Sequence, residues 1–129
     1  MYIADVNKQA ATGLVGAGRL MFGAAFLLAP SPTLRLWWPD DEASQPVASG
    51  LARGFGAREI GLGLGILGTT VRGGSPWGWL LAAIVADAAD VVLTLTNSYS
   101  FGRRARLINL VSGALFIHLE LYLAFNPDE

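Results

Sequence analysis

Charged residues are bunched along this chain, and the stretches between the bunches are long and apolar. Four such stretches stand out: about 9–29, broken only by Arg19; 51–71, apolar after Glu59; 77–96, interrupted by Asp87 and Asp90; and 107–125, with His118 and Glu120. Each approaches the roughly 20 residues that a helix needs to cross about 30 Å of hydrocarbon. A soluble amphipathic helix carries a polar stripe along one side. The runs from Ile60 to Val71 and from Trp77 to Ala86 carry no charge on any face. The pattern therefore predicts an all-α polytopic membrane protein, a single domain over residues 1–129 folded as a four-transmembrane-helix bundle.

Turn signals separate the runs. Residues 30–50 hold four of the six prolines together with Asp40, Asp41 and Glu42, and read as a loop. Gly73-Gly74-Ser75-Pro76 is a tight connection, and Asn97 to Arg104 is another with a basic end. Trp37 and Trp38, in an amphipathic stretch of the 30–50 connection, and Trp77 and Trp79, just inside the third run, sit where tryptophan favours the headgroup level; they are the expected interfacial anchors. Arg19 inside the first run, with no small-residue cleavage pattern after it, argues for a retained helix and against a signal peptide. Arg35, Arg103, Arg104 and Arg106 on one side outnumber Lys8 and Arg72 on the other. That bias predicts a multi-pass protein with both termini outside.

Composition narrows the functional classes. The chain is 53% hydrophobic and 15% charged, where a soluble domain carries about 25% charged residues. A net charge of −1 is unsuited to nucleic acid, and the absence of cysteine removes disulfides, zinc ribbons and thiol nucleophiles. No metal or cofactor site is expected. No GxSxG, HExxH or Walker motif is present, and the glycine pairs of 51–71 follow no strand, so no enzyme class is indicated.

The ionisable residues at membrane depth carry most information, since each is expensive there and faces protein or water. Asp87 and Asp90 are three apart and share a helix face, where two carboxylates repel unless a proton or a cation intervenes. Arg19 and Arg58 are the available cations. The expectation is a buried cluster of Arg19, Arg58, Asp87 and Asp90 with Glu59 at its edge. It serves either as a lock between helices or as a polar site such as a proton relay or headgroup pocket. Glu120 reads as a boundary residue sharing a face with Asn109, Gly113 and Phe116, and the lone His118 points elsewhere. In the second run, Ala57, Gly61, Gly65 and Thr69 recur every four residues and form a small-residue stripe for close packing or for a partner helix.

The element Arg53-Gly54-Phe55-Gly56-Ala57-Arg58-Glu59-Ile60-Gly61-Leu62-Gly63-Leu64, followed by Ala86-Asp87-Ala88-Ala89-Asp90, resembles uncharacterised small four-helix integral membrane proteins of actinobacteria, which are similar to the DoxX-like group in size and topology. The resemblance implies a membrane fold and assigns no biochemical activity. The leading expectation for function is a non-catalytic accessory subunit in the lipid bilayer that docks on a larger inner-membrane complex, such as an envelope or lipid transporter. The alternative is a small-molecule or lipid-binding protein, in a proton-coupled version too, that uses the Arg/Asp cluster.

Overall fold

A computed structural model describes residues 3–37, 45–97 and 102–126, with side chains from residue 7 onward. The described residues are helical with no strand. The helices are α1 (Ile3–Leu28), α2 (Pro30–Leu34), α3 (Pro46–Val71), α4 (Trp77–Thr96) and α5 (Arg103–Phe125). The third run coincides with α4, while the other long helices begin earlier than the apolar pattern does. The segment 30–50 is in part helical, which corrects its reading as a loop. Pro30 opens α2 and Pro46 opens α3, each at a first-turn position where the missing amide hydrogen costs nothing. The turn after α3 is a glycine-dependent cap. Gly73 adopts a φ of +72°, its amide donates to the Thr70 carbonyl, and the Gly74 amide donates to that of Thr69.

α1 and α3 form an intimate antiparallel pair. Gly16 lies against Gly63, and Gly23 against Gly56; a methyl group added to any of the four would come within 3 Å of backbone across the contact. At one end of the same register, the Gln9 amide donates to the Thr70 carbonyl. The glycines are seven apart on both helices, the repeat of a left-handed supercoil, so the two backbones stay in contact over several turns. This corrects the expected stripe. Ala57 and Gly61 face outward with open space beyond Gly61, Gly65 lies under the Trp79 indole, and Thr69 packs against Gly74.

α4 and α5 form the second pair, with Gly113 against Val91. Between the pairs, backbone approach is sparse. Apolar contact joins them at the end that carries both termini, where Val15, Leu62, Ile66, Leu80, Ala83 and Leu123 form one cluster. Lys8 near the start of α1 donates to the Asn126 carbonyl just past α5 at that same end. At the opposite end, Phe26, Leu34 and Ala52 pack with Trp37 and Phe55 within the first pair.

Residues Asn7–Leu28, Trp77–Thr96 and Arg103–Phe125 are long and apolar enough to cross a membrane. Their outer faces match that reading: Leu14, Met21, Leu28, Val85 and Leu115 are each more than 60% exposed. A soluble protein of this size does not present so many large apolar side chains to water. In α3, Arg53, Arg58, Glu59 and the glycines dilute the apolar character. Trp77 and Trp79 are exposed at the start of α4, as interfacial anchors would be. Trp37 is not placed as an anchor. It is half-buried, with its ring centroid 5.4 Å from that of Phe26 and 5.9 Å from that of Phe22. Trp38 lies outside the described residues.

Gly63→Ala is expected to lower stability by about 1–3 kcal/mol, because the helix contact has no room for a methyl group. Gly61→Ala, on the open face, should leave stability unchanged or raise it slightly. Thermal unfolding in detergent, followed by tryptophan fluorescence, distinguishes the two.

Candidate functional site

Arg19 projects from the middle of α1 into the space between all four long helices and is 3% exposed. Its Nη1 donates to Glu59 Oε2 of α3 at 2.5 Å, and its Nη2 to Asp87 Oδ2 of α4 at 2.5 Å. Its Nε and Nη2 both donate to Glu120 Oε1 of α5, at 3.0 and 2.6 Å. One guanidinium therefore contacts a carboxylate from each of the other three long helices. The planar fork of arginine makes this possible, since its donors leave in several directions within one plane.

Arg58 builds the second half of the network. Its Nη1 and Nη2 donate to the two oxygens of Asp90 at 3.0 and 2.6 Å, a bidentate pair, and its Nη2 reaches Glu59 Oε1 at 3.0 Å. The guanidinium also lies over the Phe55 ring, 4.5 Å from its centroid. Glu59 is thus the bridge between the two arginines, at the centre of the network and not at its edge as its spacing had led us to expect.

Asp87 and Asp90 share a helix face and yet take different partners. Asp87 belongs to Arg19 and is 8% exposed, while Asp90 belongs to Arg58 and is more open. Glu120 departs further from expectation. It is fully buried in the network and not at a membrane boundary. The face it shares with Asn109, Gly113 and Phe116 was the available signal, because the structure turns that face inward. His118 is exposed on α5.

The network contains two guanidiniums and four carboxylates. Every guanidinium group is occupied, whereas acceptor capacity is left over: Glu120 Oε2 is buried without a hydrogen-bond partner, and Asp87 Oδ1 accepts no hydrogen bond. No group of three or more histidine, cysteine, aspartate or glutamate residues with metal-binding geometry occurs among the described residues.

A cavity of about 590 Å³ opens beside this network, between the two helix pairs and on the side away from the termini. Arg19, Glu59, Asp87 and Asp90 contribute its charged end. Phe22, Phe26, Trp37, Phe55 and Phe116 supply aromatic walls, and Asn109 and Ser112 add polar points from α5. The opposite side of the network is closed by Val15, Ile66, Leu80, Ala83 and Leu123. Beyond that plug lies a smaller cavity of about 470 Å³, lined by polar groups such as Gln9, Thr12 and Thr70.

Comparison with protein-family models, with curated proteins and with solved structures yields no match. The functional reading therefore rests on the geometry of this site.

Arg19→Ala is expected to destabilise the protein by about 3–5 kcal/mol, because three buried carboxylates lose their common cation. Arg19→Lys should recover only part of this, since a point charge cannot reproduce the fork. Asp90→Asn, on a partly exposed pair, should cost about 1 kcal/mol or less. Unfolding temperatures of the three purified variants in one detergent test this order.

Proposed function

We propose that this chain is a four-helix, multi-pass membrane protein that binds an amphiphilic small molecule or lipid in the cavity between its helix pairs. The cavity carries the proposal: about 590 Å³, walled by aromatic and aliphatic side chains, with ionised groups at one end. Ligand sites have this character, mostly apolar with a few polar groups that orient the occupant. The fourth crossing is assigned to α3 because it runs antiparallel to α1 from the Gly23–Gly56 contact to the Gln9–Thr70 hydrogen bond. A partner held along that length crosses wherever α1 does. Its Glu59 is buried and its Arg58 is paired with Asp90, which lowers the cost of carrying those charges at membrane depth. The bias of arginine and lysine supports an orientation with both termini outside, and the resemblance to small actinobacterial membrane proteins supports a bacterial plasma membrane.

A second reading, an accessory subunit docking on a larger membrane complex such as an envelope or lipid transporter, is favoured by the outer face of α3. There Gly50, Gly54 and Gly61 have open space where a side chain would begin, and Ala57 is exposed. Such a face permits close approach of another helix.

Gly18 supplies the test of the binding reading. It lines the cavity, and nothing lies within 4 Å of where its Cβ would be. Gly18→Leu is therefore expected to place a side chain in the cavity and obstruct it while leaving the unfolding temperature nearly unchanged. A brominated long-chain alcohol should quench tryptophan fluorescence saturably in wild-type protein held in lipid nanodiscs. With Gly18→Leu, only the linear quenching of bilayer partitioning should remain. Identical curves for the two proteins would remove the cavity as a binding site.

A further inference from the structure

We infer that the occupant of the cavity is a lipophilic cation, an organic ammonium or phosphonium group on an apolar body, whose charge sits against Asp87. The inference rests on the binding reading above and specifies its ligand class.

Hydrogen-bond accounting gives the sign of charge. An anionic headgroup needs donors, and the cationic donors at this site are already engaged. Arg19 is shared among Glu59, Asp87 and Glu120, and Arg58 is held by both oxygens of Asp90 and by Glu59. The uncommitted oxygens of the network are acceptors, while Arg19 Nη1 and Arg58 Nη1 each make one hydrogen bond of a possible two and Asn109 adds an amide to the lining. Asp87 lines the cavity with Oδ1 uncommitted, and Glu120 Oε2 is fully buried without a partner in the same network. Four carboxylates against two guanidiniums leave the network two positive charges short of balance, a deficit that protons or further cations fill, and in low dielectric a cation is attracted strongly there.

The walls agree with that sign. Aromatic faces attract cations, and the protein's own guanidiniums already use two of them: Arg58 lies over Phe55 at 4.5 Å and Arg19 over Phe116 at 5.6 Å. Phe22, Phe26 and Trp37 remain along the cavity with no guanidinium over them. The cavity is also too large for a bare metal ion, and its lining beyond the charged end is mostly apolar, with Thr94, Asn109 and Ser112 as polar points, which suits an ion with a hydrocarbon or aryl body.

Tetraphenylphosphonium and tetraphenylborate, nearly equal in shape and opposite in charge, provide the test. Each is titrated against wild-type protein in nanodiscs, with Gly18→Leu as the measure of bilayer partitioning. The phosphonium should bind saturably and more than about tenfold tighter than the borate, as expected for a charge within a few ångströms of a carboxylate that shares one guanidinium with two others. Asp87→Asn should weaken phosphonium binding by about tenfold or more while leaving the brominated alcohol unaffected. Should Asp87→Asn fail to fold, a comparison of the two ions on wild-type protein decides the matter alone. Equal or tighter borate binding overturns the cation assignment. Binding of the brominated alcohol with neither ion overturns it too and leaves the binding reading intact, whereas failure of all three probes overturns both.

Discussion

One guanidinium sets the architecture. Arg19 contacts a carboxylate on each of the three other long helices, and it does so where backbone packing between the two helix pairs is thin. Within the first pair, glycine contacts bring α1 and α3 together and need no polar help. Within the second, α4 and α5 pack against each other independently. What relates one pair to the other is the small apolar plug near the termini and the ion network at mid-depth. In hydrocarbon an unpaired carboxylate or guanidinium is so costly that the pairs cannot drift apart at that level without leaving charges stranded.

The cavity is the counterpart of that arrangement. On one side of Arg19 the pairs are closed by Val15, Leu62, Ile66, Leu80, Ala83 and Leu123, with aliphatic side chains meeting across the interface. On the other side, Phe22, Phe26 and Phe55 pack among themselves and with Trp37, all within the first pair and the turn after α2. Those rings satisfy one another and leave Leu93, Thr94, Ile108 and Ser112 of the second pair facing them across open space. The ion network fixes the distance between the pairs at mid-depth, and the mutual packing of the aromatics keeps them from filling the gap.

Much of the helix pattern was legible in the sequence, because long uncharged runs have few physical alternatives. The run 77–96 reappears unchanged as α4, bounded by Pro76 and Asn97. Helix starts were less legible. α1, α3 and α5 each extend into polar sequence, since their first turns need only backbone hydrogen bonds and no apolar face. The ionic residues could be listed from their depth, yet their partners could not. Whether Glu59 or Asp87 receives Arg19 depends on the rotation of α3 and α4, which spacing on a single helix does not determine. Glu120 was missed as a network member because its face was judged by its closeness to the helix end. The glycine contacts were obscured by a four-residue stripe, Ala57–Gly61–Gly65–Thr69, when the operative spacing was seven: Gly16 to Gly23 and Gly56 to Gly63. Matching seven-residue intervals on two helices are visible in the sequence once both are read together.

A buried ion network of this extent exceeds what holding the helices together requires. Well-packed apolar residues of similar volume often match or exceed a buried salt bridge in stability, because no desolvation cost is incurred. The plug on the far side of Arg19 already illustrates that solution in the same molecule. A lock alone would also balance its charges, whereas this network carries more carboxylates than guanidiniums and leaves Glu120 Oε2 without a partner. Three of the four carboxylates, Glu59, Asp87 and Asp90, line the cavity. The imbalance is intelligible if the network is incomplete as it stands and an outside positive charge, proton or ligand, completes it. The proposed lipophilic cation is the form of that charge that the aromatic walls and the size of the cavity also suit.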